Sequence, residues 1–228
     1  MILFQADFIY VFGEIEMKDL KQNPSLADFQ AHIKGVCKER GWDNNSHFVI
    51  LSGIMEEKTE LSEAIDDYYA SFFDASKNVQ KEKESLAGEF SDVFNYLLDV
   101  ANYFDVDMEK AFRDKFDIKE YPSLYDFQRR AMVICGKQHC DKLDLVLMDR
   151  FMNGVGSLTK AMRHYLGVWE QSGKESKKGE KELLEKIFAD VFLYFLDLAN
   201  HFDIDMEHAY RAKFAINEKR VWGKGPDE

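Results

Sequence analysis

The chain is poor in cysteine and proline, with three of each in 228 residues. Three thiols cannot all pair with one another, and no spacing suggests a disulfide framework, so a reducing cytoplasm is the expected setting. No apolar run approaches the ~18 residues a membrane helix needs. The segment Met1 to Phe12 lacks a basic start and carries Asp7, so no secretion signal is expected either. Basic residues are in deficit: 30 Lys and Arg stand against 42 Asp and Glu, a formal net charge of −12. With no basic block to offset that field, nucleic acid and anionic lipid are excluded as expected partners, and a small polyanion could bind only through a metal ion. There is no phosphate-binding Gly-Lys-Ser/Thr loop, no nucleophile elbow, and no Glu-x-x-His pair of the ferritin-like di-iron type. What remains, 46% hydrophobic and 32% charged, is the composition of a soluble globular protein of one large domain or two small ones.

Internal duplication dominates what is present. Pro24-Ser-Leu-Ala-Asp-Phe-Gln30 returns as Pro122-Ser-Leu-Tyr-Asp-Phe-Gln128, an offset of 98. At the same offset Leu86 to Phe116 matches Leu184 to Phe214, with 19 of 31 positions identical. We therefore divide the chain into an extension (1–23), a first copy (24–121), a second copy (122–220) and a tail (221–228). Two copies are too few for a solenoid, which favours a pseudo-two-fold pair.

Each copy predicts helices. Leu26, Phe29, Ile33 and Val36/Cys37 recur at helical spacing, as do Leu51, Ile54, Met55, Leu61, Ala64 and Ile65, and then Phe90, Val93, Phe94, Leu97, Leu98, Ala101 and Phe104. Pro24-Ser25 starts the first helix, and Asp107 or Asp205 caps a short last one. Polar segments 76–85 and 172–181 read as exposed connections. The expected architecture is all-α, four helices per copy, three long and one short, with apolar stripes broad enough to require a common core.

The chemistry concentrates in copy one. Glu56, Glu57 and Glu60 fall on one predicted helix, where spacings of three and four put Glu57/Glu60 or Glu56/Glu60 on one face, and Glu89 and Asp92 share a face of another. Apolar neighbours turn both faces toward the helix interface. Four carboxylates in a partly dry interface repel one another and lose hydration, so they need a cation. An all-oxygen set selects a hard one, Mg²⁺ with Mn²⁺ as substitute. A solvated acidic face would look the same in copy one alone. In copy two, however, Glu56, Glu57 and Glu60 become Asn153, Gly154 and Ser157 at an offset of 97, Glu89 becomes Ile187, and only Asp190 persists opposite Asp92. Solvated charges drift independently, whereas these four acids are missing together, as expected of one site lost as a unit.

Glu56-Glu57-x-x-Glu60, 28 residues, then Glu89-x-x-Asp92 resembles the signature of the MazG-like all-α nucleoside triphosphate pyrophosphohydrolases, which include dimeric dUTPases and dCTPases. Arg40-Gly41-Trp42 before the acidic helix, Asp92-Val-Phe-Asn-Tyr96 within the second, and a closing Lys-x-x-x-Asn-x-x-Arg resemble its flanks. The resemblance covers nearly all of 24–220. It implies Mg²⁺-dependent cleavage of a (d)NTP between α- and β-phosphates to the monophosphate and pyrophosphate, as in housecleaning of nucleotide pools. Glu57, Glu60, Glu89 and Asp92 would hold the metal, which would orient the phosphates and acidify a water, and Glu56 would serve as outer support or base. Trp42, Tyr96 and Phe29 are candidates for stacking on the base, although each also fits core packing. Phosphoribosyl-ATP pyrophosphohydrolase shares the chemistry, and a non-catalytic helical regulatory protein retaining a vestigial metal site is the rival from another class.

The closing motif is split between the copies. Copy one has Lys115, Lys119 and Pro122 where copy two has Lys213, Asn217 and Arg220. The expectation is that copy one supplies metal and pocket while Lys213, Asn217 and Arg220, with Lys115 a further candidate, contact the phosphates; a helix-end cap with solvated basic residues is the alternative. One chain would then be a monomeric pseudo-dimer or half of a homodimer. Cys135, His139 and Cys140 lack a fourth zinc ligand, and Cys37 repeats Cys135, so buried core thiols are expected. Asp205-x-x-His208 has ligand spacing, but copy one has Lys110 opposite His208.

Overall fold

The computed structural model describes residues 20–119, 123–137, 144–171 and 174–220. The expected architecture holds: the described residues form eight α-helices and no strand. Copy one contributes α1 (Leu26–Glu39), α2 (His47–Ala70), α3 (Val79–Tyr103) and α4 (Met108–Phe116), with a short 3₁₀ turn at Trp42–Asn44. Copy two contributes α5 (Leu124–Lys137), α6 (Asp144–Gln171), α7 (Lys174–His201) and α8 (Met206–Asn217).

The helix starts follow from local chemistry. Ser25 and Asp28 form a reciprocal capping box on α1, and Ser123 and Asp126 make the same bonds ahead of α5. Asp107 and Asp205 each accept from the backbone N–H three residues on, at 2.8 and 2.9 Å, opening α4 and α8. Asp205 is thus a cap, not half of a ligand pair with His208. Just upstream, Asp105 and Asp203 share φ 54, the left-handed turn that ends α3 and α7.

The expected connections at 76–85 and 172–181 are corrected. Asn78 caps α3 with its side chain, accepting from Gln80 and Lys81, so the helix begins at Val79. α7 already begins at Lys174, and residues 172 and 173 lie outside the described part. In α3 the charged residues form a largely solvent-facing first turn or two of helix, because Lys, Glu and Gln form helix well without an apolar face.

α3 and α7 run through the middle. α8 packs on α3 and α4 on α7, so the last helix of each copy lies against the third helix of the other. A single apolar cluster runs from Leu20 to Tyr210. Phe94 stacks on Phe192 with centroids 6.0 Å apart, and Phe90 lies 5.7 Å from Phe195. All four rings are fully buried, and separating the copies would expose them at a cost of roughly 1.5–3 kcal/mol each. Met55, expected on the apolar stripe of α2, is instead exposed, since it lies about 100° around the helix from the buried stripe of Ile54, Leu61 and Ile65.

The repeat is legible contact by contact. Gln30 donates to Asn102 and the Val106 carbonyl and accepts from Met108 N–H. Gln128 does the same with Asn200, Ile204 and Met206. Arg113 donates to the carbonyls of Ile118 and Lys119, Arg211 to those of Leu20 and Lys21. Leu20 and Lys21 precede copy one as Ile118 and Lys119 precede copy two, so the structural repeat reaches back to residue 20. Ser25 and Ser123 form an antiparallel bridge where the two copies begin. The other expectations for 1–19 and 221–228 lie outside the described residues.

Candidate metal centre

α2 and α3 lie side by side, and their acidic turns meet. One carboxylate oxygen from each of Glu57, Glu60 and Glu89 lies within 4.8 Å of the other two. Glu57 and Glu60 project from one face of α2 because they are three residues apart; Glu89 faces them from α3. Glu57 and Glu89 are half-buried and Glu60 is exposed, so the trio sits at the mouth of the helix interface. An acidic cleft of about 270 Å³ opens from it between Glu60, Glu63, Asp67, Glu82 and Glu89.

The electrostatics are unfavourable as the chain stands. Burial, with Asp92, Glu60 and Glu89 adding like charge, pushes the Glu57 carboxyl up to about 7. Burial also raises the carboxyls of Glu89 and Asp92, against the pull of Lys213. Glu57 Oε2 and Glu89 Oε2 are buried with no hydrogen-bond partner. Two orphaned carboxylate oxygens in a cluster of three acids fit a hard divalent cation, which would satisfy both at once.

Asp92 is one helical turn beyond Glu89 but is not among the three gathered oxygens. Its carboxylate is taken by Lys213, which arrives on α8 from copy two and also lies 3.8 Å from Glu89 Oε1. Arg220 also stabilises charged Asp92. The closing motif of copy two therefore does reach the acids of copy one. Asn217 is the last residue of α8, one turn beyond Lys213. Lys115 goes elsewhere: it pairs with Asp190 at 2.5 Å and donates to the Lys186 carbonyl, the same cross-copy contact made from the other side. Glu56 is exposed on α2 and close enough to Tyr96 to act on its hydroxyl electrostatically.

The aromatic candidates separate. Phe29 is corrected: it is fully buried, edge-on to Phe94 at 5.5 Å and to Tyr210 at 4.8 Å, so it is core and not a pocket wall. Trp42 is partly buried in the 3₁₀ turn after α1, with the Arg40 guanidinium 5.0 Å from its ring centroid. Tyr96 is partly buried in α3 beside the acids, and burial first, then Glu57 and Glu56, raises its hydroxyl. The hydroxyl-bearing edge of its ring comes up against Gly53 of α2, one turn before Glu57, where any Cβ would collide with it.

Two features escaped sequence reasoning. Gly53, in the middle of an amphipathic helix, was the signal for that close approach. Asn95, whose Oδ1 is buried without a partner, occupies the position that is Leu193 in copy two; a polar-to-apolar change between otherwise matching helices was the cue. Cys37 and Cys135 are buried thiols in no disulfide, as expected, and Cys37 donates to Asp99. His139 and Cys140 lie outside the described residues. A larger cavity of about 740 Å³ opens between Lys21, Asp107, Glu109, Arg113 and Ser123. Its Lys21 and Lys110 are already paired with Asp28 and Asp114, and none of the orphaned buried atoms lines it.

No helix among the described residues is long and apolar enough to cross a membrane. Comparison with protein-family models, curated proteins and solved structures gives no match.

Proposed function

We propose that this chain is a Mg²⁺-dependent (d)NTP pyrophosphohydrolase of the MazG-like type, releasing the monophosphate and pyrophosphate at one site per chain, within two pseudo-two-fold copies. The observation that carries the reading is the convergence of Glu57, Glu60 and Glu89 with two orphaned buried oxygens among them, beside a lysine delivered by the other copy. An acidic surface patch would not leave buried carboxylate oxygens unpartnered.

Glu57, Glu60, Glu89 and Asp92 would hold Mg²⁺, with Mn²⁺ as substitute, which when bound supplies phosphate neutralisation and Lewis acidity. The chain's own groups do the rest. Lys213 and Arg220 carry positive charge to the acidic turn from copy two and suit the outer phosphates. Glu56, exposed beside the cluster, is the base placed to take a proton from the attacking water. Tyr96 and Trp42 offer ring faces to a base, and Asn95 offers an unused acceptor. The reciprocal contacts of α3 with α8 and of α4 with α7 support the pseudo-two-fold relation. The buried thiols of Cys37 and Cys135, outside any disulfide, suit the reducing cytoplasm.

The test is pyrophosphate release from a panel of (d)NTPs with and without Mg²⁺. Turnover that requires the metal and disappears in Glu60→Gln at unchanged melting temperature is the expected result. A folded protein that turns over no nucleotide would overturn the reading in favour of a non-catalytic helical protein.

A further inference from the structure

Lys213 sits in the one place that a divalent cation would also claim. Its side chain is only 13% exposed, its ammonium pairs with Asp92, and Glu89 Oε1 lies 3.8 Å away. The stem reaches the acids by crossing α3 at Gly88, where its atoms pass 3.6 Å from the position a Cβ would occupy. So largely shielded a contact is weakly screened by salt. It also accounts for Asp92 standing apart from Glu57, Glu60 and Glu89, because its carboxylate is turned to the lysine.

A divalent ion entering among these carboxylates meets a like charge within a few ångströms. The two cations cannot share Asp92 without strong repulsion in a half-dry interface. If Lys213 gives up Asp92, it needs another anion, since a lysine stranded in a shielded site is costly. The triphosphate is the anion that arrives with the metal. Resting on the function proposed above, we infer that Lys213 is a tethered counter-ion that holds Asp92 until the site loads and then passes to the phosphates. Metal and nucleotide thereby bind with positive coupling through one side chain contributed by the second copy.

Copy two carries the mirror contact as a control. Lys115 pairs with Asp190, and the Lys186 carbonyl holds it as well, but Asn153, Gly154, Ser157 and Ile187 offer no acids for a metal to join. There the same pair is a strut between α4 and α7.

Mn²⁺ binding to the full chain, followed by the electron paramagnetic resonance signal of free ion and by calorimetry, tests this without turnover. In the absence of nucleotide, Lys213→Met is expected to bind Mn²⁺ about tenfold more tightly than wild type, within the usual range of coupling between sites. A non-hydrolysable α,β-methylene triphosphate should tighten Mn²⁺ binding to wild type and no longer do so in the variant. Lys213→Arg, which keeps the charge, should stay near wild type, as should Lys115→Met. If Lys213→Met does not fold, Lys213→Gln carries the same comparison. Unchanged or weaker Mn²⁺ affinity in the folded neutral variant, with wild type binding normally, overturns the counter-ion role alone. Absence of saturable Mn²⁺ binding in wild type and variant alike overturns the metal site and this inference together.

Discussion

The two copies keep one scaffold and part company at a single cleft. Capping boxes, glutamine bridges, left-handed aspartates and arginine clamps repeat at an offset of 98. Between α2 and α3, Glu57 faces Glu89 and Tyr96 lies one turn away on Gly53. Between α6 and α7, the residue matching Glu57 is Gly154, and Tyr194, matching Tyr96, approaches it instead: a Cβ there would lie 3.3 Å from the Tyr194 ring and from Val191. At the position matching Gly53 copy two has Arg150, whose Cβ leaves no room for a ring placed as Tyr96 is, and the Tyr194 ring packs at Gly154, where copy one has an acid. Losing the acids and closing the cleft are one change seen from two sides. A helix pair can pack with a ring or an acidic cavity at that level, but only the second arrangement leaves buried carboxylate oxygens without hydrogen-bond partners.

The sharpest way to break this comparison is to treat the matched aspartates alike. Asp92→Asn removes one of the proposed metal ligands and the partner of a shielded lysine, so turnover should fall by at least about a hundredfold. Asp190→Asn breaks only a half-exposed pair and should leave turnover within about twofold, with less than about 1 kcal/mol lost in stability. Parallel steady-state assays and denaturant melts decide it; equal activity losses would mean that the second cleft is still in use.

The scaffold was open to sequence reading and the cleft only in part, for physical reasons. Periodicity and caps are local, so Ser25, Asp107 and Asp205 announced their helices in advance. The missing acids of copy two also marked Glu56, Glu57, Glu60 and Glu89 as a set, of which the structure gathers the last three. Which charge meets which across 121 residues is decided by helix packing, so the Lys213 to Asp92 contact could be expected only as a shared site, not as an ion pair. Phe29 shows the limit for aromatics: the same spacing serves a core ring or a stacking ring, and only the neighbouring Phe94 and Tyr210 settle it. The charged start of α3 was misread because low apolar content signals exposure, not loss of helix.

Next in size is the pair of glycines. Gly53→Ala drives a methyl group into the Tyr96 ring, which should cost about 1–3 kcal/mol and displace the ring toward Glu57, lowering turnover as well. Gly154→Ala meets Tyr194 and Val191 at a tight but yielding 3.3 Å. Its clash is offset by up to about 1 kcal/mol of helix propensity, so little net change is expected. Urea melts of the two variants separate them, and a neutral Gly53→Ala would mean that Tyr96 is loosely held.

Caps should show the copies as equals. Asp107→Ala and Asp205→Ala each remove a side-chain bond to a helix start, at about 1 kcal/mol apiece. Because both helices pack across the copies into one core, both losses should appear in a single cooperative transition. Two separate transitions, each sensitive to one cap, would show instead that the copies unfold independently.

The smallest effect concerns the proton on Glu57, which has no counterpart at Gly154. Burial and three neighbouring carboxylates hold this group at about 7 against an ordinary 4.5, so the folded chain binds the proton more tightly than the unfolded chain does. The stability that this supplies is complete below about pH 4.5 and is lost as the pH rises to about 7. Glu89 and Asp92 are raised as well and act in the same direction. In chelator, the melting temperature of wild type should therefore contain a decline across that window which Glu57→Gln reduces. Solvent screening of a half-exposed carboxyl keeps the difference small. Saturating Mg²⁺ should abolish the decline in wild type, since the ion takes over the role of the proton, and should leave Glu57→Gln less affected. A window that persists unchanged in both the variant and the metal-loaded protein would place the titrating group outside this cleft.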